Sequence, residues 1–473
     1  MRFLIISSFL CISSISFVYA DPGDTIWTRI YGGDENDIAY SIDRTTDGGF
    51  VIAGETKSFG HGGFDYYIIK IDAAGDTLWT RTIGGSSADH AKFIQCTNDG
   101  GYIIVGTTLS FGEWVPNIWL VKLNANGNTS WTRHFFNNMF NYADCVRQTS
   151  DGGYIIAGWS GEMDISHHDF YIIKTDSDGH QQWTENYDAG NPEMAYSITQ
   201  TADSGYIIAG CSLHSFETQE DFRVLKIRSN ASVNWDRYYG DSDLQAAHAV
   251  METSDNGYLI VGISTDTMVG RTYVVKTDYY GDTLWTRTYP GSMRSALECD
   301  DGGYLISSVI NGDINILKIN SNGDSLWSRL YLYPDFEAGN DIEKTDDGNY
   351  IICGDRGDYS EGGSDIFLVK IEGEQTEIDG NTIVLPSPAI LRCNYPNPFN
   401  VKTTIPFTIN KPARVNISIY DILGQKVTVL VNDILSAGDH NIIYDASSLA
   451  SGVYFYRLES GGISEIRMMN LIK

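Results

Sequence analysis

The sequence predicts an all-β protein, a seven-bladed β-propeller followed by a small immunoglobulin-like β-sandwich. Three observations carry that reading. Tryptophan recurs at a near-constant interval, a glycine-rich turn leading into a β-branched strand recurs in step with it, and near residue 372 this pattern gives way to another. A fixed period of this size marks a repeat architecture, in which each unit is one supersecondary element that cannot bury its faces alone.

The first element is not part of the repeat. Arg2 supplies a positive start, Phe3 to Phe17 is apolar and serine-rich, and Val18-Tyr19-Ala20 ends on a small residue, so residues 1–20 read as a signal peptide cleaved before Asp21. Cys11 offers a lipoprotein alternative, but Phe9-Leu10 lacks the small residue expected before such a cysteine. No other stretch has the ~18 continuous apolar residues of a spanning helix, so no transmembrane segment is expected in the mature protein.

Residues 21–372 form the repeat region. Trp27, Trp79, Trp131, Trp183 and Trp235 are spaced by 52, and Trp285 and Trp327 follow after 50 and 42. Seven copies of a turn begin at Asp47, Asp99, Asp151, Asp203, Asp255, Asp301 and Asp347. Seven copies of a further strand end on Lys70, Lys122, Lys174, Lys226, Lys276, Lys318 and Lys370. A short segment typified by Ala195 to Thr201 makes a fourth strand. Four short strands per unit, divided by Gly, Asp and Asn turns, describe a propeller blade. Each lysine strand runs through a tight turn such as Asp72 to Asp76 into the next tryptophan strand, so these two belong to one blade. Thr25 to Tyr31 then has no upstream partner and is expected to pair with Asp365 to Ile371, closing the ring and removing its free edges. The tryptophans are expected to pack between blades.

Gly84-Gly85 to Asp89, Asn98 to Tyr102, Val105 to Thr108, Val121 to Asn124 and Gly127 resemble the bacterial SBBP propeller repeats. The hairpin followed by tryptophan is also similar to the docking motif of quinoprotein propellers, although no quinone site is recognisable. The first resemblance implies a propeller in a secreted setting; it implies no activity.

Residues 373–390 read as a polar, proline-containing linker, and residues 391–473 as the sandwich, with alternating strands such as Thr403 to Ile409 and Arg414 to Tyr420. Tyr395-Pro396-Asn397-Pro398-Phe399-Asn400, the turn at Gly424, and Gly452 with Tyr454 near the end resemble, in order, the type A C-terminal sorting domain of type IX secretion. That resemblance implies recognition by the outer-membrane export machinery and a secreted or outer cell-surface location.

Charge separates the two regions. The chain carries 61 acidic and 32 basic side chains, net -29, whereas residues 391–473 hold 6 acidic and 8 basic ones. So acidic a propeller repels phosphate backbones and anionic lipid, which argues against nucleic acid as a partner. Cys96, Cys145, Cys211, Cys299, Cys353 and Cys393 show no metal-ligand spacing and read as small buried residues, although export would permit disulfides.

Two candidate sites stand out. Ala39, Ala91, Ala143, Ala195, Ala247, Met293 and Gly339, mostly small, mark the innermost strand, and two positions earlier come Asp37, Asp89, Asn141, Glu193, Gln245, Gly291 and Glu337. The carboxylates Asp37, Asp89, Glu193 and Glu337 could form a channel ring holding a hard cation such as calcium. In the competing reading, each caps its own turn or lines a wet channel. The second candidate is a rim of variable loops, Lys57 to Phe64, Leu109 to Asn117, Ser160 to His168, Ser212 to Glu220 and Arg356 to Ser364, with Trp114 and Tyr359 as aromatic anchors. His167-His168-Asp169 could begin a metal site but lacks an identifiable third ligand.

No nucleophile elbow, phosphate loop or paired catalytic acids appear. The leading expectation is a non-catalytic binding platform for a protein or glycan partner. An extracellular polysaccharide hydrolase or lyase, and a structural surface spacer, are the alternatives.

Overall fold

The computed structural model describes residues 22–473 apart from 113–114, 138, 163–166, 216–218, 241–242, 267–268, 334–335, 359–362, 375–388, 392–393, 395–396, 398, 410–411, 422–425, 437 and 461–462. The expected signal peptide, 1–20, and most of the expected linker lie outside the described residues. The chain divides into two units, Met1–Gln375 and Thr376–Lys473.

Seven four-stranded antiparallel meanders make up the first unit. Blade 1 runs Asp37–Arg44, Phe50–Thr56, Asp65–Ile71 and Thr77–Ile83. Its two middle strands are buried along their whole length, as β-branched and aromatic runs covered on both faces should be. The outermost strand alternates between exposed and half-buried residues. A single parallel bridge, Glu220 to Leu244, links blades 4 and 5 into one eight-stranded sheet.

Thr25–Tyr31 is the fourth strand of the last blade. It lies antiparallel to Gly363–Ile371, with Trp27 opposite Lys370 and Tyr31 opposite Ile366. The same pairing of tryptophan with lysine recurs within the other blades, for example Trp79 with Lys70. Residues from the two ends of the repeat region therefore share one sheet.

Adjacent blades share their cores. Ala39 and Ile42 of blade 1 pack with Ile351, Cys353, Ile366 and Leu368 of blade 7, and Val51 and Ile68 pack with Ala91 and Ile104 of blade 2. Most of the tryptophans reach the hairpin of the following blade: a Cβ on Gly127, at φ +73°, would lie 2.8 Å from the Trp79 ring, so glycine gives the ring room there. The buried lysines pair with the Asp that opens the turn, as in Lys70 to Asp47 at 2.9 Å and Lys318 to Asp301 at 2.7 Å. Each such lysine ammonium thus meets a carboxylate at the surface end of its strand.

Among its described residues the second unit is a seven-stranded sandwich. Ala389–Leu391, Lys402–Ile409 and Gly438–Asp445 form one sheet; Ala413–Tyr420, Lys426–Leu435, Gly452–Ser460 and Ile463–Leu471 form the other. Ile405, Phe407, Ile417, Ile419, Tyr456 and Leu458 meet in a common core. Among the described residues there is no helix long and apolar enough to cross a membrane. Cys96, Cys145, Cys211, Cys299 and Cys353 are free thiols, while Cys393 lies outside the described residues.

Candidate functional site

The first strand of every blade carries one residue more than the second strand opposite it. The register breaks between Ala39 and Ser41, Ala91 and Phe93, Ala143 and Cys145, Ala195 and Ser197, Ala247 and Ala249, Met293 and Ser295, and Gly339 and Asp341. The residues left over are Tyr40, Lys92, Asp144, Tyr196, His248, Arg294 and Asn340. A β-bulge of this kind re-aims the side chain of its extra residue.

Here the seven side chains turn toward the propeller axis. They line a cavity of about 370 Å³ bounded by all seven blades, and Tyr40, Lys92, Asp144, His248, Arg294 and Asn340 also border a second cavity of about 240 Å³. In six of the seven blades a glycine on the second strand makes room for the bulge, with Ser308 in its place in blade 6: a Cβ on Gly106 would overlap the His90 carbonyl oxygen, and one on Gly54 the Ile38 carbonyl oxygen.

Neighbouring members of the ring touch. The Lys92 ammonium sits 3.7 Å from the centroid of the Tyr40 ring, and Tyr196 stacks on His248 at 4.8 Å. Burial pushes the Asp144 carboxyl up to about 6, against the pull of Lys92. Burial and then Arg294 lower His248 to about 4, so its imidazole is neutral at physiological pH.

Asp43, Arg147, Asp341 and Glu343 also line the larger cavity. Asp341 accepts hydrogen bonds from the Ser295 hydroxyl at 2.7 Å and the Ile42 amide at 3.1 Å. Burial, reinforced by Asp43 and Asp341, lifts Glu343 to about 8.

The carboxylates expected to ring the channel do not line it. Two residues before Ala39 on the same strand face, Asp37 points into the blade junction, not at the axis. Its oxygens accept from the Thr56 hydroxyl, the Ser58 hydroxyl at 2.7 Å and the Gly33 amide at 2.7 Å. Asp89 repeats the arrangement with Thr108, Ser110 at 2.7 Å and the Gly85 amide at 2.8 Å. Glu193 lies 3.5 Å from the Arg223 guanidinium, and Glu337 lies 3.4 Å from that of Arg356. Asn141 donates to the Met139 carbonyl and Gln245 to the Ser264 hydroxyl.

The structure does supply Asp169 with further oxygen donors. Ligand atoms of Asp169, Asp188 and Glu193 lie within 4.8 Å of one another. His168 instead turns its Nε2 to the Glu162 carbonyl at 3.0 Å.

The five variable loops connect second to third strands. Trp114 and Tyr359, the expected rim anchors, lie outside the described residues. So do Tyr395, Pro396, Pro398 and Gly424 of the expected sorting motif. The rest of that motif clasps the end of the sandwich. Phe399 is buried in its core, its amide donates to the Asn470 carbonyl at 2.9 Å, and its carbonyl accepts from the Ile472 amide at 2.9 Å. The Asn397 side chain accepts from the Asn470 amide at 2.8 Å, and the Asn400 carbonyl from the Lys402 amide at 2.8 Å. Gly452 pairs with Leu471, and Tyr454 donates to the Ala450 carbonyl at 3.0 Å.

Residues 394–470 match the family of secretion system C-terminal sorting domains. No curated protein matches the chain. Similar solved structures include a fungal alcohol oxidase of the AA5 family in complex with copper, 9% identical over 96% of this chain and 100% of that one, with a TM-score of 0.47. Drosophila Plexin A in complex with Semaphorin 1b is 10% identical over 75% and 88%, with a TM-score of 0.43. PorZ, a bacterial surface component of the type IX secretion system of Porphyromonas gingivalis, is 8% identical over 98% and 88%, with a TM-score of 0.26.

Proposed function

We propose that this chain, which carries a type IX sorting domain at its C-terminus and is therefore secreted or held at the outer cell surface, uses its propeller as a non-catalytic binding platform. The partner is a protein or a glycan, and it is received at the axial ring. One observation carries the reading. The seven bulged positions are structurally equivalent, yet they hold Tyr, Lys, Asp, Tyr, His, Arg and Asn, while the residue just before each bulge is alanine in five blades of seven. A purely structural position in a repeat would hold one residue type, as the alanine position nearly does.

A glycan matches the ring chemistry best. Tyrosine faces stack against sugar rings, and lysine, arginine and asparagine offer donors to hydroxyl or carboxylate groups. A second reading, a polysaccharide hydrolase or lyase, is supported by the raised carboxyls of Asp144 and Glu343 in the same channel, since such groups can carry protons near neutral pH.

A glycan array and a pull-down with the mature full chain, with and without calcium, separate the readings. Binding without turnover, lost in Tyr196→Ala and in Arg294→Ala, supports the platform. Bond cleavage abolished by Asp144→Asn overturns it in favour of an enzyme. Binding that survives both alanine variants moves the site elsewhere.

A further inference from the structure

We propose that the two blade junctions flanking blade 1 each bind a hard divalent cation of the calcium type: one between Asp65 and Asp89, the other between Asp365 and Asp37. These sites lie between blades, away from the axial ring, and do not depend on what the channel receives.

The first junction shows the geometry. Asp65 opens the third strand of blade 1, Asp89 opens the first strand of blade 2, and both are buried. Asp65 Oδ2 accepts from the His61 amide at 2.6 Å, but buried Asp65 Oδ1 has no hydrogen-bond partner. It points at the same spot as Asp89: a Cβ on Gly84 would overlap Asp65 Oδ1 and lie 2.9 Å from Asp89 Oδ2. That brings the two oxygens close enough for one ion to touch both at the ~2.3–2.6 Å calcium prefers.

The closing junction places the two carboxylates in the same way, with Asp37 buried and Asp365 half-buried. A Cβ on Gly32 would overlap Asp365 Oδ1 and lie 2.8 Å from Asp37 Oδ2. Among the described residues, no lysine or arginine forms an ion pair with any of these four aspartates. Two negative charges facing each other in a junction, both buried at the first and one buried and one half-buried at the second, are costly without a counter-charge.

Other junctions show how that cost is avoided. Where Asp169, Asp188 and Glu193 converge, the Arg223 guanidinium stands 3.5 Å from Glu193. Glu337 has Arg356 at 3.4 Å. Between blades 2 and 3 the equivalent residues are Asn117 and Asn141, which carry no charge. Each of these junctions either holds its own cation or needs none. The two flanking blade 1 do neither, so an external ion completes them. The second of them joins the last blade to the first and so couples ion binding to ring closure.

The asparagine pair also supplies the test, because it shows that the fold accepts asparagine at both positions. In equilibrium dialysis of the mature full chain against calcium, two ions are expected in the propeller, with dissociation constants on the order of 0.1–1 mM as in extracellular modules. Asp65→Asn and Asp365→Asn should each lose one ion, and the double variant both. At about 10 mM calcium, well above such constants, the wild type should melt several degrees higher than in chelator, and the double variant should show no such shift. No binding by the wild type, or unchanged stoichiometry in the folded double variant, would overturn the proposal.

Discussion

The Tyr331 hydroxyl donates a hydrogen bond to the Gly23 carbonyl at 2.6 Å, across 308 residues of chain. Elsewhere the equivalent tyrosine reaches the hairpin of the next blade, as Tyr239 does to Gly281 at 2.6 Å. Blade 7 makes the first residues of the propeller stand in for its missing hairpin. The Gly23 amide donates to the Glu372 carbonyl and the Glu372 amide to the Asp24 carbonyl, each at 2.8 Å, and Arg329 pairs with Asp24 at 2.6 Å.

Ring closure should therefore dominate the cooperativity of unfolding. Tyr331→Phe is expected to cost about 1 kcal/mol, the usual net worth of one such hydrogen bond. Deleting residues 22–31 should do far more, because it exposes both an open edge and an unpaired core. Urea denaturation followed by tryptophan fluorescence checks both; a truncated chain that unfolds with the wild-type midpoint would refute the role given to the strand.

The glycine that stands opposite six of the seven bulges, with Ser308 in its place in blade 6, should be intolerant in a way that turn glycines are not. In Gly106→Ala the new methyl meets the His90 carbonyl, which is backbone and cannot move aside, so a loss above about 3 kcal/mol is expected. Gly152 has a positive φ of 83° but nothing within 4 Å, so Gly152→Ala should cost only about 1 kcal/mol. Chemical denaturation of the two variants side by side distinguishes packing from backbone conformation.

Stability should peak in mildly acidic solution. Asp99, Asp151 and Asp347, bonded to buried lysines, are lowered to about 2. A depressed carboxyl contributes stability that is present above its unfolded value near 4 and is lost as pH falls toward about 2. Glu343 is raised to about 8 and Glu193 to about 7, chiefly by burial. A raised carboxyl acts in the opposite sense: protonation favours the folded state, so stability is lost as pH rises from about 4 through these values. Melting temperature should rise from pH 9 to about 5 and then fall below 4, and Glu343→Gln should flatten the alkaline side. A profile that climbs steadily toward pH 9 would contradict the assignment.

Export should depend on the clasp at the end of the sandwich. Phe399→Ala empties a core position and removes buried area next to the last strand, at an expected cost of 3–5 kcal/mol by the usual large-to-small figures, roughly. Surface display, read by protease accessibility on whole cells, should fall with it. Removing residues 391–473 should abolish display, while the propeller, which has its own cores, still melts cooperatively.

The repeat itself was legible in the sequence. Its period placed seven four-stranded blades, and the orphan strand at Thr25 to Tyr31 implied the closure seen in its pairing with Ile366 to Ile371. These features follow from local pattern, because alternation, turn residues and period are properties of consecutive residues. The chain end likewise announced its sorting domain through short ordered motifs.

The axial ring was not legible. Counting two residues back from Ala39 led to Asp37, but one extra residue in each first strand turns Tyr40 and its six counterparts to the axis and leaves Asp37 in a junction. A signal was present in the glycine of Val105-Gly106, which faces the bulge, although only the register shows what it accommodates. Which carboxylates meet was equally hidden. Asp65 and Asp89 are 24 residues apart, and what brings them together is the packing of one blade against the next. Sequence period determines what each blade is; the stacking of twisted sheets around an axis decides which side chains share a space, and therefore where charge must be balanced.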